Sequence, residues 1–385
     1  MPFLNGPRHT IPGMRLEPFQ MERMQSEWEN RVAHNLSESG VHPLSVEELL
    51  DPADREEVLR ERLVYVQSNG TEALRAAIAA LYPGAEARNV VVTTGTAEAN
   101  YIAIWRLVEP GDDVVMMLPN YMQIWGVVRA QGARVAEWAL REQAGWGPDV
   151  EELGRLLTPR TRLIVLCNPN NPTGSVLSPE AMRGIVAAAA RHGTWVLADE
   201  VYRGAEREGE ETPSFWGGYD RLLVTSGLSK AYGLPGLRIG WVVGPADIIA
   251  ELWGRKDYLT ISPGALSDVL ARKALRPDVR ARILARTRGI LRANYPVIEE
   301  WVSGHAGELS LLPPRAGAIV YPRYAWPVNS TELVTRLRDE QGVLVVPGDH
   351  FGMDGFLRIG FGGDPGDLRR GLAAIDAHVS RLPRR

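Results

Sequence analysis

The chain has 385 residues, 45% hydrophobic and 23% charged, with a formal net charge of -4. That composition gives a globular protein with a large core, and its interleaved acids and bases give no reason to expect a nucleic-acid or anionic-membrane partner. The lone cysteine, Cys167, excludes an intrachain disulfide; it sits in an apolar run and reads as a buried thiol.

Met1 to Arg15 carries no targeting pattern, and no apolar stretch reaches the ~20 residues a membrane helix needs, so a cytoplasmic location is expected. A helix is expected from Phe19 to Val32 and a helical stretch from Val46 to Leu63, with Thr71 capping the next helix. From there short β-branched runs alternate with helices. The strands are Asn89 to Thr94, Val114 to Leu118, Val135 to Ala139, Leu163 to Cys167, Trp195 to Ala198, Leu222 to Thr225 and Ile239 to Val243. The intervening helices are Thr96 to Leu107, Met122 to Ala130, Val150 to Leu157 and Pro179 to Arg191. Continuous apolar strands separated by helices predict an α/β fold with a mainly parallel central sheet buried on both faces. Helical pattern dominates from Ala246 to Trp301. Strand-like pieces at Ala318 to Tyr321, Val343 to Val346 and Phe356 to Ile359 follow, then a last helix from Asp367 to Leu382. We therefore expect a large domain over 45–260 and a smaller α+β domain from 1–44 with 261–385.

Ligands of parallel α/β sheets bind beyond the carboxyl ends of the strands, so the residues following each strand are the candidates. Gly95-Thr96-Ala97 opens a helix and offers bare N–H groups to a phosphate. Asn168-Pro169-Asn170-Asn171-Pro172-Thr173-Gly174 forces an irregular loop that can aim an amide into a cleft. Asp199, at the end of a buried strand, calls for a cationic partner, and Tyr202 follows it. Ser226-Gly227-Leu228-Ser229-Lys230 puts an amine at a strand-to-loop junction, where it is a candidate Schiff-base former. Arg238 lies eight residues on and can neutralise a phosphate. Arg358, inside a strand-like run, suggests a carboxylate partner.

Asn-Asn-Pro-Thr-Gly, Asp-Glu-Val-Tyr and Ser-Lys-x7-Arg, in that order, closely resemble the class I/II aminotransferases among the fold-type I enzymes of pyridoxal 5'-phosphate (PLP). The resemblance runs from about Tyr65 to Arg358. It implies that Lys230 carries the cofactor as an internal aldimine and later moves the α-proton. It implies that Asp199 pairs with the pyridine nitrogen, that Asn171 and Tyr202 bind the phenolic oxygen, and that Tyr121 stacks on the ring. Gly95, Thr96, Ala97 and Arg238 would hold the phosphate, with Ser226 or Ser229 replacing the serine that many relatives carry where this chain has Gly227. Tyr65 would reach the neighbouring site of a homodimer, and Arg358 would clamp the substrate carboxylate. Ser37-Glu38-Ser39-Gly40-Val41-His42-Pro43 departs from the usual entry to such sites. With Lys256-Asp257-Tyr258-Leu259-Thr260 it is similar to the cyclising branch, the capreomycidine synthases, which dehydrate a hydroxylated arginine and close a ring. Gly40 and His42 would then lie near substrate, although His42 before Pro43 reads equally well as a turn residue.

The expectation is a PLP enzyme of amino acids and 2-oxo acids. The breadth of the family favours transamination over elimination, replacement or cyclisation. A transcriptional regulator would need a DNA-binding module that the first ~35 residues do not encode. A generic nucleotide-binding fold would need a phosphate loop that is absent from the chain.

Overall fold

The apolar runs between residues 90 and 243 form one seven-stranded sheet in the computed structural model, which describes residues 16–382. Met1 to Arg15, read above for targeting patterns, lies outside the described residues. In chain order the strands are β1 (His34–Asn35), β2 (Val90–Thr94), β3 (Asp113–Leu118), β4 (Arg134–Ala139), β5 (Thr161–Cys167), β6 (Trp195–Asp199) and β7 (Leu222–Gly227). They continue with β8 (Ile239–Val243), β9 (Leu309–Ser310), β10 (Ile319–Val320), β11 (Arg323–Tyr324), β12 (Val343–Leu344), β13 (Val346–Pro347) and β14 (Leu357–Gly360). The central sheet runs β2-β8-β7-β6-β5-β3-β4. All neighbours pair in parallel except β8, which is antiparallel to both β2 and β7.

Both faces of this sheet are buried. Val91, Val114, Met116, Leu163, Val165 and Leu197 pack in one cluster with the helices Thr96–Leu107 and Ala246–Lys256. Val92, Val115, Met117, Ile164 and Leu166 pack in the other, with the helix Pro179–His192. Each such side chain taken from water contributes about 1.5–3 kcal/mol, which is why the strands read as unbroken apolar runs rather than alternating ones. The helix Pro179–His192 shows local and global signals agreeing. Ser178 Oγ accepts from Ala181 N at 3.2 Å, Pro179 sits in the first turn, and Gly193 ends it at φ 64°.

Several element boundaries differ from expectation. The first helix is Gln20–Trp28. The stretch from Val46 to Leu63 splits into Val46–Leu49, closed by a Ser45/Glu48 capping box, and Pro52–Leu59, capped by Asp51. Pro52 has no N–H and restricts its predecessor, so a new helix starts there. The stretch from Ala246 to Trp301 resolves into Ala246–Lys256, Ala265–Ala274 and Pro277–Gly304, the last running through Pro296.

The segment preceding the large sheet is stitched to the C-terminal strands. β1 pairs in parallel with β12. Gly360 N donates to the Leu36 carbonyl at 2.7 Å, and His42 N donates to the Gly362 carbonyl at 2.8 Å. Residues 36–42 thereby lie across β14 and above the carboxyl ends of β5, β6 and β7. No helix among the described residues is long and apolar enough to cross a membrane.

Candidate active site

Beyond the carboxyl ends of β5 and β6 lies a cavity of about 430 Å³. Of the residues singled out in the sequence, Thr96, Ala97, Tyr121, Asn171, Asp199, Tyr202, Ser229, Lys230, Arg238 and Arg358 all line it. They come from separate strand ends and loops spread over 263 positions (358 less 96, inclusive).

One end of the cavity is a cradle built where glycines leave the backbone bare. Gly95, at φ 78°, caps the helix Thr96–Leu107 and lies flat against the Arg238 guanidinium, leaving no room for a Cβ. Arg238 itself adopts φ 49°, an uncommon conformation for a residue with a side chain. Its Nη1 donates to the Pro235 carbonyl at 3.0 Å and to Ser229 Oγ at 3.4 Å. Gly227 explains the missing serine. A Cβ there would stand 2.7 Å from Thr96 Oγ1 and 2.8 Å from the Ile239 carbonyl. Thr96 occupies the space a side chain at 227 would need, and its buried hydroxyl has no partner among the described residues. Ser229 lines the cavity, whereas Ser226 turns its hydroxyl to the Glu200 carbonyl at 3.2 Å and does not.

At the other end of the cofactor-sized space lies Asp199, buried, with Oδ2 accepting from Asn100 Nδ2 at 3.1 Å and Oδ1 from Val201 N at 3.0 Å. Burial pushes its carboxyl up to about 6. Asn100 in turn accepts from Thr225 Oγ1 at 2.7 Å. The reading of the sequence missed Asn100. It lies four residues after Thr96 on the same helix, so the i, i+4 spacing carried that signal. Asn168, Asn170 and Thr173 brace the proline-rich loop: Asn170 Nδ2 donates to the Pro119 carbonyl at 3.1 Å and Asn168 Oδ1 accepts from Leu177 N at 3.0 Å. Asn171 is then free to face the cavity, where its Oδ1 accepts from Arg358 Nη1 at 3.2 Å. Arg358 is 1% exposed; its Nη2 donates to the Ser37 carbonyl at 2.6 Å, and its Nε has no partner among the described residues.

The largest surprise sits on Lys230. Glu38 Oε1 accepts from Lys230 Nζ at 2.7 Å, and also from Ser39 N at 2.8 Å and Gly40 N at 3.0 Å. The Lys230 charge, with those hydrogen bonds, pulls the Glu38 carboxyl down to about 2. Burial alone would depress the Lys230 ammonium, but Glu38 and the Tyr202 hydroxyl outweigh it and hold the amine above the ordinary lysine range. Glu22, Gln25 and Glu29, from the helix Gln20–Trp28 and its C-terminal end, complete that wall. Gln25 docks the helix by donating to the Ser37 carbonyl at 3.0 Å. Glu22, Gln25 and Glu29 were not singled out from the sequence, and Glu38 was noted only within its stretch, since nothing in it pointed to a lysine 192 residues away.

Besides Ser226, three candidates lie elsewhere. Gly40 packs beside the Lys230 methylenes, where a Cβ would be 3.6 Å from Cδ, but it is not part of the cavity lining. His42 is exposed, and its carbonyl accepts from Arg286 Nη1 and Nη2 at 3.1 Å. Tyr65 is 87% exposed, on a stretch shared with Leu63 and Val64.

These groups fit PLP. An unpartnered hydroxyl, a glycine cradle and an arginine suit its phosphate; a buried carboxylate suits its pyridinium; Lys230 suits its aldehyde. Comparison with known proteins agrees. The model of the family described as aminotransferase class I and II matches residues 35–375. The capreomycidine synthase of Streptomyces vinaceus is 36% identical over 378 residues, 97% of this chain and 95% of that protein. Among solved structures, a PLP-dependent aminotransferase from Streptococcus suis superposes with a TM-score of 0.90 at 30% identity, covering 96% of this chain and 100% of that one. The PLP-dependent cyclase OrfR superposes with a TM-score of 0.86 at 28% identity, covering 95% and 98%. Strand-end chemistry, fold and relatives converge: the chain belongs to the class I and II aminotransferase family of PLP-dependent enzymes.

Proposed function

We propose that the enzyme acts on an amino acid with a cationic side chain, removes its α-proton, and expels a β-substituent so that the side chain can close a ring. The observation that carries this reading is the acidic wall. Glu22 and Glu29 lie on one face of a helix, seven residues apart, and share the cavity with Glu38. Glu29 sits at the helix C-terminal end, where the dipole disfavours a carboxylate. Burial, Glu38 and Glu22 all push its carboxyl up. That cost falls on Glu29, and a guanidinium or ammonium bound beside it would offset it. The full-length similarity to a capreomycidine synthase and the likeness to a PLP cyclase support the ring-closing outcome.

PLP would supply an electron sink for the α-carbon. The protein's residues do the rest. Arg358 would hold the α-carboxylate, Lys230 would take the α-proton, and Asp199 would keep the pyridine nitrogen protonated. Asn171 and Tyr202 would orient the ring, with Tyr121 against its face, while Thr96, Ser229 and Arg238 would anchor the phosphate. Transamination of the same substrate is the second reading, favoured by the family match and by the Streptococcus suis neighbour.

The loaded enzyme, given 3-hydroxy-L-arginine, is expected to form a product lighter by one water, with the cofactor unchanged. Accumulation of pyridoxamine phosphate and a keto acid, without water loss, would establish transamination instead. Replacing both Glu22 and Glu29 by glutamine is expected to raise KM for L-arginine derivatives by roughly tenfold, a modest factor because both carboxylates are partly exposed. KM for L-norvaline should not rise; an equal rise for both would remove the cationic reading.

We further propose a homodimer in which Tyr65 reaches the partner's site. Leu59, Leu63, Val64 and Tyr65 form an exposed apolar run of a kind that partners cover. Sedimentation should give twice the chain mass, and Tyr65→Asp should return it to the monomer. A wild-type monomer with full activity would refute the shared site.

A further inference from the structure

Glu38 is not an ordinary surface ion-pair residue. Its side chain keeps 49% of its surface open, toward the cavity, while that of Lys230 keeps 25%. An ion pair this open contributes little to stability. It also holds Lys230 as an ammonium, whereas both jobs assigned to Lys230, bonding to an aldehyde and taking a proton from carbon, need the neutral amine. A site using one base alone gains nothing from a carboxylate placed 2.7 Å from it. A site that must carry a proton from one carbon to a leaving group on the next needs a second proton carrier.

We propose that Glu38 is a catalytic acid–base residue that accepts the α-proton from Lys230 and delivers it to the departing β-oxygen of the substrate. This rests on the eliminating reading above. The protons and electrons balance within the substrate. The Cα–H bond breaks, and the proton goes to the lone pair of Lys230 Nζ. The ammonium passes it along the Nζ–H···Oε1 hydrogen bond, giving a neutral amine and a carboxylic acid. The acid protonates the β-hydroxyl as the Cβ–O bond breaks with its electron pair leaving on oxygen. Water departs, the pair from Cα–H becomes the Cα=Cβ bond, and Glu38 is again a carboxylate. No oxidant or reductant is required.

The surroundings suit both states. Two backbone N–H groups, of Ser39 and Gly40, fix Oε1 without carrying charge. The Lys230 charge is the largest influence holding the Glu38 carboxyl at about 2, and burial opposes it. As the proton leaves Lys230, the largest influence holding the Glu38 carboxyl down is lost, so its proton affinity rises in the same step. Arg358 and the Tyr202 hydroxyl also act on Lys230, and Glu29 faces both members of the pair, with Glu22, Tyr121, Asp199 and Arg238 lining the same cavity.

The test uses the loaded enzyme with Glu38→Gln and Glu38→Asp. Two reactions are followed: water loss from 3-hydroxy-L-arginine, and exchange of the α-hydrogen of L-arginine in D2O, which has no leaving group. In E38Q water loss is expected to slow by about 100-fold or more while α-exchange changes by roughly threefold at most. E38D, which keeps a carboxylate, should recover part of the lost rate. Undiminished water loss in E38Q, or equal loss in both reactions, would overturn the proposal, the second outcome marking Glu38 as structural. A wild-type enzyme that exchanges the α-hydrogen but releases no water overturns the eliminating reading, and this role with it. Water loss by wild type and E38Q alike strikes only the role of Glu38.

Discussion

Lys230→Ala is expected to yield a folded, colourless protein that binds PLP reversibly and catalyses α-hydrogen exchange at least about 10⁴-fold more slowly than the wild type. Among the described residues it is the only amine lining the cavity, and both the proposed covalent link and the proposed proton transfer would depend on it. Loss of the fold is not the expected cause. The hydrogen bonds of Glu38 to Ser39 N and Gly40 N survive the substitution, and an exposed carboxylate is readily hydrated. With the ammonium gone, the Glu38 carboxyl should rise from about 2. The checks are absorbance after borohydride reduction, circular dichroism, and partial rescue of exchange by added methylamine. A K230A enzyme that stays yellow through dialysis and keeps its rate would dismantle the assignment.

Arg358→Lys is expected to raise KM for the amino acid by about 100-fold while changing kcat far less. Arg358 spends two of its nitrogens on protein partners, Asn171 Oδ1 at 3.2 Å and the Ser37 carbonyl at 2.6 Å. The third, Nε, is buried and unpartnered among the described residues. Such a donor is costly to leave unmet, and a carboxylate approaching in the guanidinium plane would meet it. Lysine keeps the charge but offers a single nitrogen, which cannot span the two protein contacts and the ligand together. Steady-state kinetics decide the matter: an unchanged KM would show that the substrate carboxylate is held elsewhere.

Much of the site was legible because its residues follow strands whose apolar runs are conspicuous. Asp199 and Lys230 each stand where a buried strand ends, and a charge there demands a reason. Asn171 was legible from its unusual loop. The acidic wall was not legible. The helix Gln20–Trp28 has the polar surface of any exposed helix, and Glu38, although within the distinctive stretch Ser37 to Pro43, carries no pattern that points to Lys230. What makes these residues functional is the pairing of β1 with β12, a contact between strands of two residues each that no periodicity announces. The antiparallel setting of β8 was hidden for a related reason. A strand buried on both faces reads the same in either direction, and only the short connection from β7 through Lys230 to Arg238, too brief for a helical crossover, hints at the reversal. Gly227 was visible as a departure, but its cause, the Thr96 hydroxyl occupying that space, required the approach of β7 to the helix Thr96–Leu107.

The stitching of residues 36–42 to β14 has a consequence for redesign. Ser37 holds Arg358, Glu38 holds Lys230, and Gly360 holds Leu36, so three successive residues index the carboxylate grip proposed for Arg358 against the proton transfer proposed for Lys230. A chimera that imports this stretch from a relative without its matching final strand would misalign both by a residue's length. Exchanged together, the two pieces form a cassette through which one scaffold could be re-tuned to a different reaction outcome.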